Sequence, residues 1–190
     1  PNKQDLTGTS PLRLSYTELD NASDNLALTL LDKNIGHGDI ILVQLPNIVE
    51  LAVCYYGASK IGAVISPIPV QYSLHELTNI QGTVKPALGI SCSNLSGNNL
   101  ASQMDECIAG EVIAFGNGAS DSQLDLTHNS KAACIITQHQ YAIDGSSDSS
   151  SDSSSDENFD CKIDGNTVIT LCWTSGTTGT PKGVPRTHNM

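Results

Sequence analysis

The feature that most constrains this chain is the alternation of short apolar runs with longer segments of helical periodicity. The apolar runs are rich in β-branched residues and too short for helices, so they are predicted to be buried strands. Strands that alternate with helices through short connections are typical of layered folds with parallel sheets. We therefore predict an α/β fold with a mainly parallel sheet flanked by helices. The predicted strands are residues 39–45, 63–65, 87–92, 111–115 and 167–173, and the predicted helices are 48–61, 73–84, 100–109 and one that begins at Ser15 and stops before Asn34.

Two of the helix starts carry the same capping pattern. Ser15 is followed by Glu18, and Ser73 is followed by Glu76. In such a box the serine hydroxyl and the glutamate carboxylate bond to backbone amides that the first turn leaves free. Both helices are therefore predicted to begin directly after these serines. The segment 116–142 gives no comparable signal, apart from an apolar run at 132–137.

The charge balance argues against two kinds of partner, and the cysteine usage indicates the cellular environment. The 190 residues carry a formal net charge of −11, from 9 basic and 20 acidic residues. Nucleic acids and anionic membranes bind basic surfaces, so neither is an expected partner. No run reaches the roughly 20 apolar residues that span a bilayer, so no transmembrane segment is predicted. The six cysteines form no C-x-x-C pair and several lie in apolar runs, which indicates reduced thiols and a cytoplasmic location.

One segment differs in composition from the rest. Residues 144–160 read DGSSDSSSDSSSDENFD and hold six acidic residues and no basic residue. Serine and aspartate cannot bury enough apolar area to offset the entropy lost on ordering, so we predict a flexible insertion. Two sharper alternatives are a phosphoserine tract and a weak Ca²⁺ site. The regular spacing of the aspartates does not match the ligand positions of an EF-hand loop.

The segment 174–183, which we call the phosphate segment, carries the strongest chemical signal. It reads TSGTTGTPKG and directly follows the predicted strand 167–173. Its three glycines let the backbone approach an anion closely, and successive free N–H groups form an anion-binding concavity. The hydroxyl groups add donors, and Lys182 adds a positive charge. A stretch rich in Gly, Thr and Pro is often only a loop, but this order after a buried strand predicts a site for the phosphates of a nucleotide.

The phosphate segment does not match the Walker A pattern. That pattern places the lysine directly after a glycine. Here Thr180 and Pro181 separate Gly179 from Lys182, and Gly183 follows the lysine. A P-loop NTPase is therefore disfavoured.

The string TSGTTGTPKGV resembles the phosphate-loop signature of the adenylate-forming superfamily, which includes acyl-CoA synthetases, aryl-acid AMP ligases, peptide-synthetase adenylation domains and luciferases. LSYTELD at 14–20 is similar to the opening helix of that family. SKIGAVISPIP at 59–69 is similar to the segment in which a helix end leads to a strand and prolines. The resemblance implies that residues 1–190 are an incomplete amino-terminal AMP-binding domain, with 144–160 as an insertion.

The resemblance implies a two-step ligase reaction. A small-molecule carboxylic acid attacks the α-phosphate of ATP to give acyl-AMP and pyrophosphate, and a thiol, commonly coenzyme A, then takes the acyl group. The implied cofactors are ATP, Mg²⁺ and coenzyme A. The residues that match the nucleotide-binding loop of the family are Thr174, Ser175, Gly176, Thr177, Thr178, Gly179 and Lys182.

The resemblance also suggests roles for single residues. Lys182 is the candidate catalytic residue, expected to steady the loop and the pyrophosphate rather than to transfer a proton. Thr174, Ser175 and Thr177 are the expected phosphate contacts. His188 stands where the family often begins a helix, which Thr187 would cap. The histidines show no metal-ligand spacing, so no metal ligand is predicted in this chain.

The finer function depends on analogy alone. The later motifs of the family are absent from the sequence, so the chain by itself is not expected to complete the reaction. Residues 46–77 resemble CoA ligases of fatty, alicyclic or aromatic acids more than peptide-synthetase domains. Two alternatives stay open, an adenylation domain that loads a carrier protein and a non-catalytic nucleotide-binding fragment. The oligomeric state is not predicted.

Overall fold

The computed structural model describes residues 3–7, 13–115, 163–174 and 181–189. Within them, helices alternate with the strands of one six-stranded sheet whose order is β4-β3-β1-β2-β5-β6. The first five strands in that order run parallel, and β6 runs antiparallel to β5. The elements are α1 Lys3–Thr7, α2 Tyr16–Asp32, β1 Ile40–Gln44, α3 Val49–Lys60, β2 Val64–Pro67, α4 Leu74–Val84, β3 Leu88–Cys92, α5 Leu100–Asp105, β4 Glu111–Phe115, β5 Val168–Thr174 and β6 Lys182–Thr187.

The predicted fold class is confirmed, because the sheet is mostly parallel and helices pack on both of its faces. Alternate residues of β1 face opposite sides. Ile41 and Val43 pack with α2 and α3 in one apolar cluster. Leu42 packs with α4 and α5 in a second cluster, around Leu77 and Met104. Each of the two clusters therefore fills the space between the sheet and one helical layer.

Both predicted capping boxes form. The Ser15 backbone N–H donates to the Glu18 carboxylate at 2.6 Å, and Glu18 N–H donates to the Ser15 hydroxyl at 3.3 Å. The backbone hydrogen bond from Ser15 and then the Ser15 side chain lower the pKa of Glu18. The Ser73 N–H donates to the Glu76 carboxylate at 2.9 Å. These contacts explain why α2 and α4 begin where the sequence predicted.

Helix α5 is shorter than predicted, ending at Asp105 instead of near residue 109. The N–H groups of Cys107 and Ile108 both donate to Met104 O at 3.0 Å, which closes the helix with a turn. Gly110 follows, and a Cβ there would lie 2.3 Å from the backbone oxygen of Ala87. The turn after α5 thus leads to a close approach of Gly110 to Ala87, directly before β4 begins.

Four described cysteines are free thiols, and they differ in burial. Cys54 and Cys92 are buried, while Cys107 and Cys172 are partly exposed. Burial, followed by the nearby charge of Glu50, raises the pKa of Cys54 and of Cys92 to about 12. In the parts of the chain that the structure describes, no helix is long and apolar enough to cross a bilayer.

Candidate functional site

The phosphate segment lies within a hairpin formed by β5 and β6. The antiparallel register pairs Thr174 with Lys182 and Trp173 with Gly183, and it continues to Val168 and Thr187. At the open end of this register, the Thr174 hydroxyl donates to the Lys182 carbonyl oxygen at 3.4 Å. The two ends of the phosphate segment are therefore held together by strand pairing.

Two of the seven predicted binding residues belong to the described part of the chain. Thr174 is the exposed last residue of β5, and Lys182 is the exposed first residue of β6. The glycine and proline neighbours of Lys182 suggest a loop, but Lys182 begins the strand β6. The other five predicted residues lie outside the described residues, and they are Ser175, Gly176, Thr177, Thr178 and Gly179.

The hairpin opens at the carboxyl edge of the parallel strands. Because β5 runs parallel to β2, Thr174 lies at the same edge as Gln44 at the end of β1 and Cys92 at the end of β3. Ligands of open α/β sheets bind beyond this edge. The observed topology thus puts Thr174 and Lys182 at the edge beyond which such sheets bind their ligands.

Trp173 fixes the end of β5 to the neighbouring strand. Its indole Nε1–H donates to the Ser66 hydroxyl at 2.8 Å. Its ring is half-buried and packs against the cluster that contains Leu42 and Leu77. Sequence reasoning missed Ser66, for which the one available signal is a serine within the apolar strand β2.

The side chain of Gln44 also makes hydrogen bonds at this edge of the sheet. Gln44 is fully buried, and its Nε2 donates to Tyr72 O at 3.0 Å and to Pro69 O at 3.3 Å. Tyr72 packs against the same cluster as Trp173. Gln44 therefore holds the connection between β2 and α4 in place beside the end of β5. It was also missed, since a glutamine at a strand end carries no specific signal.

The base of the hairpin is closed by Asn189. Its backbone N–H donates to Gly165 O at 3.1 Å. Its side-chain amide occupies the space that a Cβ on Gly165 would need, at 2.3 Å from Nδ2. Thr187 ends β6, and His188 and Asn189 follow it as a turn.

With this geometry in view, comparisons with known proteins identify the family. A family model described as AMP-binding enzyme matches residues 1–190. The chain belongs to that family. The adenylate-forming resemblance predicted from the phosphate segment is therefore confirmed.

The relatives of this AMP-binding chain are ligases and synthases. Enterobactin synthase component E of Escherichia coli is 30% identical over 183 residues, which are 93% of this chain and 30% of that protein. The medium-chain fatty-acid–CoA ligase of the same organism is 25% identical over 185 residues, or 92% and 28% of the two chains. The AMP-binding chain thus spans about a third or less of the length of these relatives.

Solved structures share the fold. A fatty acyl CoA synthetase of Mycobacterium tuberculosis matches with a TM-score of 0.63 and 21% identity, over 93% of this chain and 30% of its own. An acyl-CoA synthetase of Brucella canis matches with a TM-score of 0.64 and 21% identity, over 97% and 30%. These likenesses establish that the observed sheet and helices share the fold of these two synthetases.

The charges of the β5–β6 hairpin suit an anion. Lys182 is exposed, and it forms no ion pair with any residue in the described ranges. Two other lysines do form ion pairs: Lys33 with Glu111 at 2.7 Å and Lys60 with Asp20 at 2.6 Å. A cation with no counter-ion among the described residues, on the residue paired with Thr174, can serve a phosphate oxygen.

Proposed function

We propose that this chain supplies the ATP phosphate site of an AMP-forming acid–thiol ligase. The observation that carries the proposal is the β5–β6 hairpin, which brings the exposed Thr174 and Lys182 together at the carboxyl edge of the sheet. The glycines and hydroxyls between these two residues supply N–H and O–H donors for a polyphosphate. The family membership supports the same reading.

The proposed reaction balances in two steps. A carboxylate oxygen of the acid forms a bond to the α-phosphorus of ATP, and the bond from that phosphorus to the β-bridging oxygen breaks, releasing pyrophosphate. The sulfur of a thiol then bonds to the acyl carbon, the bond to AMP breaks, and the thiol proton passes to solvent. The product is an acyl thioester, with coenzyme A as the proposed acceptor.

The residues of the hairpin act by positioning and charge. Thr174, Ser175 and Thr177 are proposed to donate hydroxyl hydrogen bonds to the phosphates, and Lys182 to place its ammonium group against the pyrophosphate as it leaves. Such groups stabilise charge where it develops. Among the described residues no cluster of His, Cys, Asp or Glu could hold a metal ion. Mg²⁺ would supply further charge neutralisation, held largely through the phosphate oxygens as is usual for this ion.

The test is acid-dependent exchange of labelled pyrophosphate into ATP, measured with the natural protein that contains this sequence. We expect exchange with at least one member of a panel of fatty, alicyclic and aromatic acids, and none without acid. ATP hydrolysis that is independent of every acid, or exchange that survives loss of both Thr177 and Lys182 side chains, would contradict the proposal.

The acceptor separates the first alternative from the proposed function. That alternative is an adenylation domain that loads a carrier protein. It stays open because the chain is 30% identical to a synthase component and 25% identical to a CoA ligase. Mass spectrometry of the products distinguishes the two acceptors. Formation of acyl-CoA from free coenzyme A supports the ligase. Accumulation of acyl-AMP with coenzyme A present, and its consumption by a phosphopantetheinylated carrier protein, supports the alternative.

The domain organisation remains part of the proposal. We propose that residues 1–190 contribute the amino-terminal part of the ligase domain and that 144–160 are an insertion within it, in a cytoplasmic protein. A non-catalytic nucleotide-binding fragment is the remaining alternative. Saturable ATP–Mg²⁺ binding without exchange for any acid would favour that alternative.

A further inference from the structure

We propose that Ser66 is a positioning residue for the phosphate segment, because its buried hydroxyl holds Trp173 and thereby fixes the strand end at which that segment begins. This inference rests on the proposed function and deepens it. Ser66 belongs to β2 and is separated from Trp173 by 107 residues of sequence. Neither residue carries charge or is itself placed against the nucleotide.

The buried hydroxyl of Ser66 requires a hydrogen-bond partner, and Trp173 is that partner. Its side chain is 0% exposed and lies in a strand whose preceding residues, Val64 and Ile65, are apolar. Burial of a hydroxyl is unfavourable unless it is hydrogen-bonded. The bond from Trp173 Nε1, at 2.8 Å, has near-ideal length and satisfies that hydroxyl as an acceptor.

The backbone attachment of β5 to the parallel sheet is short. Strands β2 and β5 are registered through one pair, Ile65 with Thr170. By contrast, β1 and β2 are registered through four pairs and β5 and β6 through six. The hairpin lies against β2, but the two strands share one registered pair, against six pairs between β5 and β6.

The Trp173 side chain adds a second specific attachment of β5 to β2. It lies three residues beyond the pair at Thr170 and immediately before Thr174. Ring packing against the apolar cluster fixes the position of the indole, and the bond to Ser66 fixes its orientation. Loss of that bond leaves the hairpin paired internally but lets its open end shift relative to the sheet. The phosphate contacts at that end would shift with it.

The experiment compares Ser66→Ala, Trp173→Phe and the double variant with wild type in the exchange assay. Ser66→Ala removes the acceptor, and Trp173→Phe keeps a ring and removes the donor. We expect each single variant to raise KM for ATP about threefold to tenfold, the effect of one hydrogen bond, with KM for the acid unchanged. The double variant should be no worse than the singles, since both changes remove one contact.

Ser93→Ala is the matched control. Ser93 is also a buried serine, directly after β3, and its hydroxyl donates to Phe115 O at 3.1 Å, at the opposite side of the sheet from β5. A purely structural effect of losing a buried hydroxyl would lower the active fraction, and hence apparent kcat, equally in Ser93→Ala and Ser66→Ala. A rise in KM for ATP confined to the Ser66 and Trp173 variants supports the positioning role.

Fluorescence separates the possible failures, because Trp173 is the sole tryptophan of the sequence. In the 190-residue chain, we expect Ser66→Ala to shift its emission and Ser93→Ala to leave it unchanged. A shift without a rise in KM for ATP would show that the bond exists but does not position the site, which overturns the inference. Unshifted emission overturns the contact itself. Wild-type protein without acid-dependent exchange overturns the proposed function, and this inference with it.

Discussion

Replacement of Lys182 by glutamine tests the proposed phosphate site most directly. The side chain is exposed and forms no ion pair with the described residues, so its loss should change the free energy of unfolding by less than about 0.5 kcal/mol. A hydrogen bond to a charged group contributes roughly 1.5–3 kcal/mol. Lys182→Gln should therefore lower kcat/KM for ATP by about 10- to 100-fold at an unchanged melting temperature.

Arg186→Gln provides a control with the same change of charge. Arg186 is exposed on the same strand, four residues along, which places it about 13 Å from Lys182 at the usual rise of a strand. That distance exceeds the Debye length of about 8 Å at physiological ionic strength, so its charge is largely screened at the site.

The assay is pyrophosphate exchange at varied ATP, with thermal unfolding of each variant measured in parallel. We expect Arg186→Gln to change kcat/KM for ATP less than about twofold. Equal losses in the two variants would mean that Lys182 acts only through the general field of the protein. Unchanged kinetics in Lys182→Gln would remove this residue from the phosphate site.

Three further outcomes follow from the described structure. Glu18→Ala should lower stability at neutral pH, because hydrogen bonds from the helix N-cap depress the pKa of that carboxyl; the difference from wild type in urea unfolding should vanish as the pH falls through the lowered pKa. Gly110→Ala should lower the free energy of unfolding by about 2 kcal/mol or more, because a Cβ there would lie 2.3 Å from a backbone oxygen. Gly82→Ala is its control: this residue faces open space on α4, and the change should raise the free energy of unfolding by roughly 0.5–1 kcal/mol in the same urea measurement. Cys54 and Cys92, whose pKa values are raised to about 12, should resist alkylation at pH 8 until the chain is unfolded, as peptide mass spectrometry would show; labelling at the rate of an exposed thiol would contradict their burial.

The parts of the fold that the sequence predicted are those with local causes. The capping boxes at Ser15 and Ser73 place the starts of α2 and α4 to the residue, because both partners of each box lie within one turn. The strand β1 was recognisable because its apolar residues form one short continuous run. Such signals need no knowledge of the rest of the molecule.

The errors concern elements that depend on distant contacts. Strand β6 contains Gly183 and Pro185, which disfavour a strand in isolation, yet Pro185 is tolerated because β6 lies at the edge of the sheet. Pairing with β5 overrides the local preference. The hydrogen bond from Asn189 N–H to Gly165 O likewise joins the two sides of the hairpin and leaves no local sequence pattern.

The candidate site likewise has a part with a local sequence signal and a part that depends on distant contacts. The donors of the phosphate segment were readable from order and composition, because glycines, hydroxyls and a lysine follow one another within ten residues. The contacts that support it, from Ser66 and Gln44, join strands far apart in sequence and leave no local pattern. Sequence thus predicted which groups could meet a phosphate, and the structure adds what holds the hairpin in place.

The sheet order also explains how a tract such as 144–160 can precede the site. Residue 115 ends β4 at one edge of the sheet, and residue 168 begins β5 beyond β2, so the connection must pass three strands. At the usual strand spacing this is a sideways distance of roughly 19 Å, and a chain without the 17 residues of the tract would still span it several times over. The entropy of closing such a connection grows only slowly with its length. An insertion such as the one proposed for 144–160 would lengthen a connection that the topology already requires. The register of β5 with its neighbours depends on contacts within the sheet, among them those of Thr170 and Trp173.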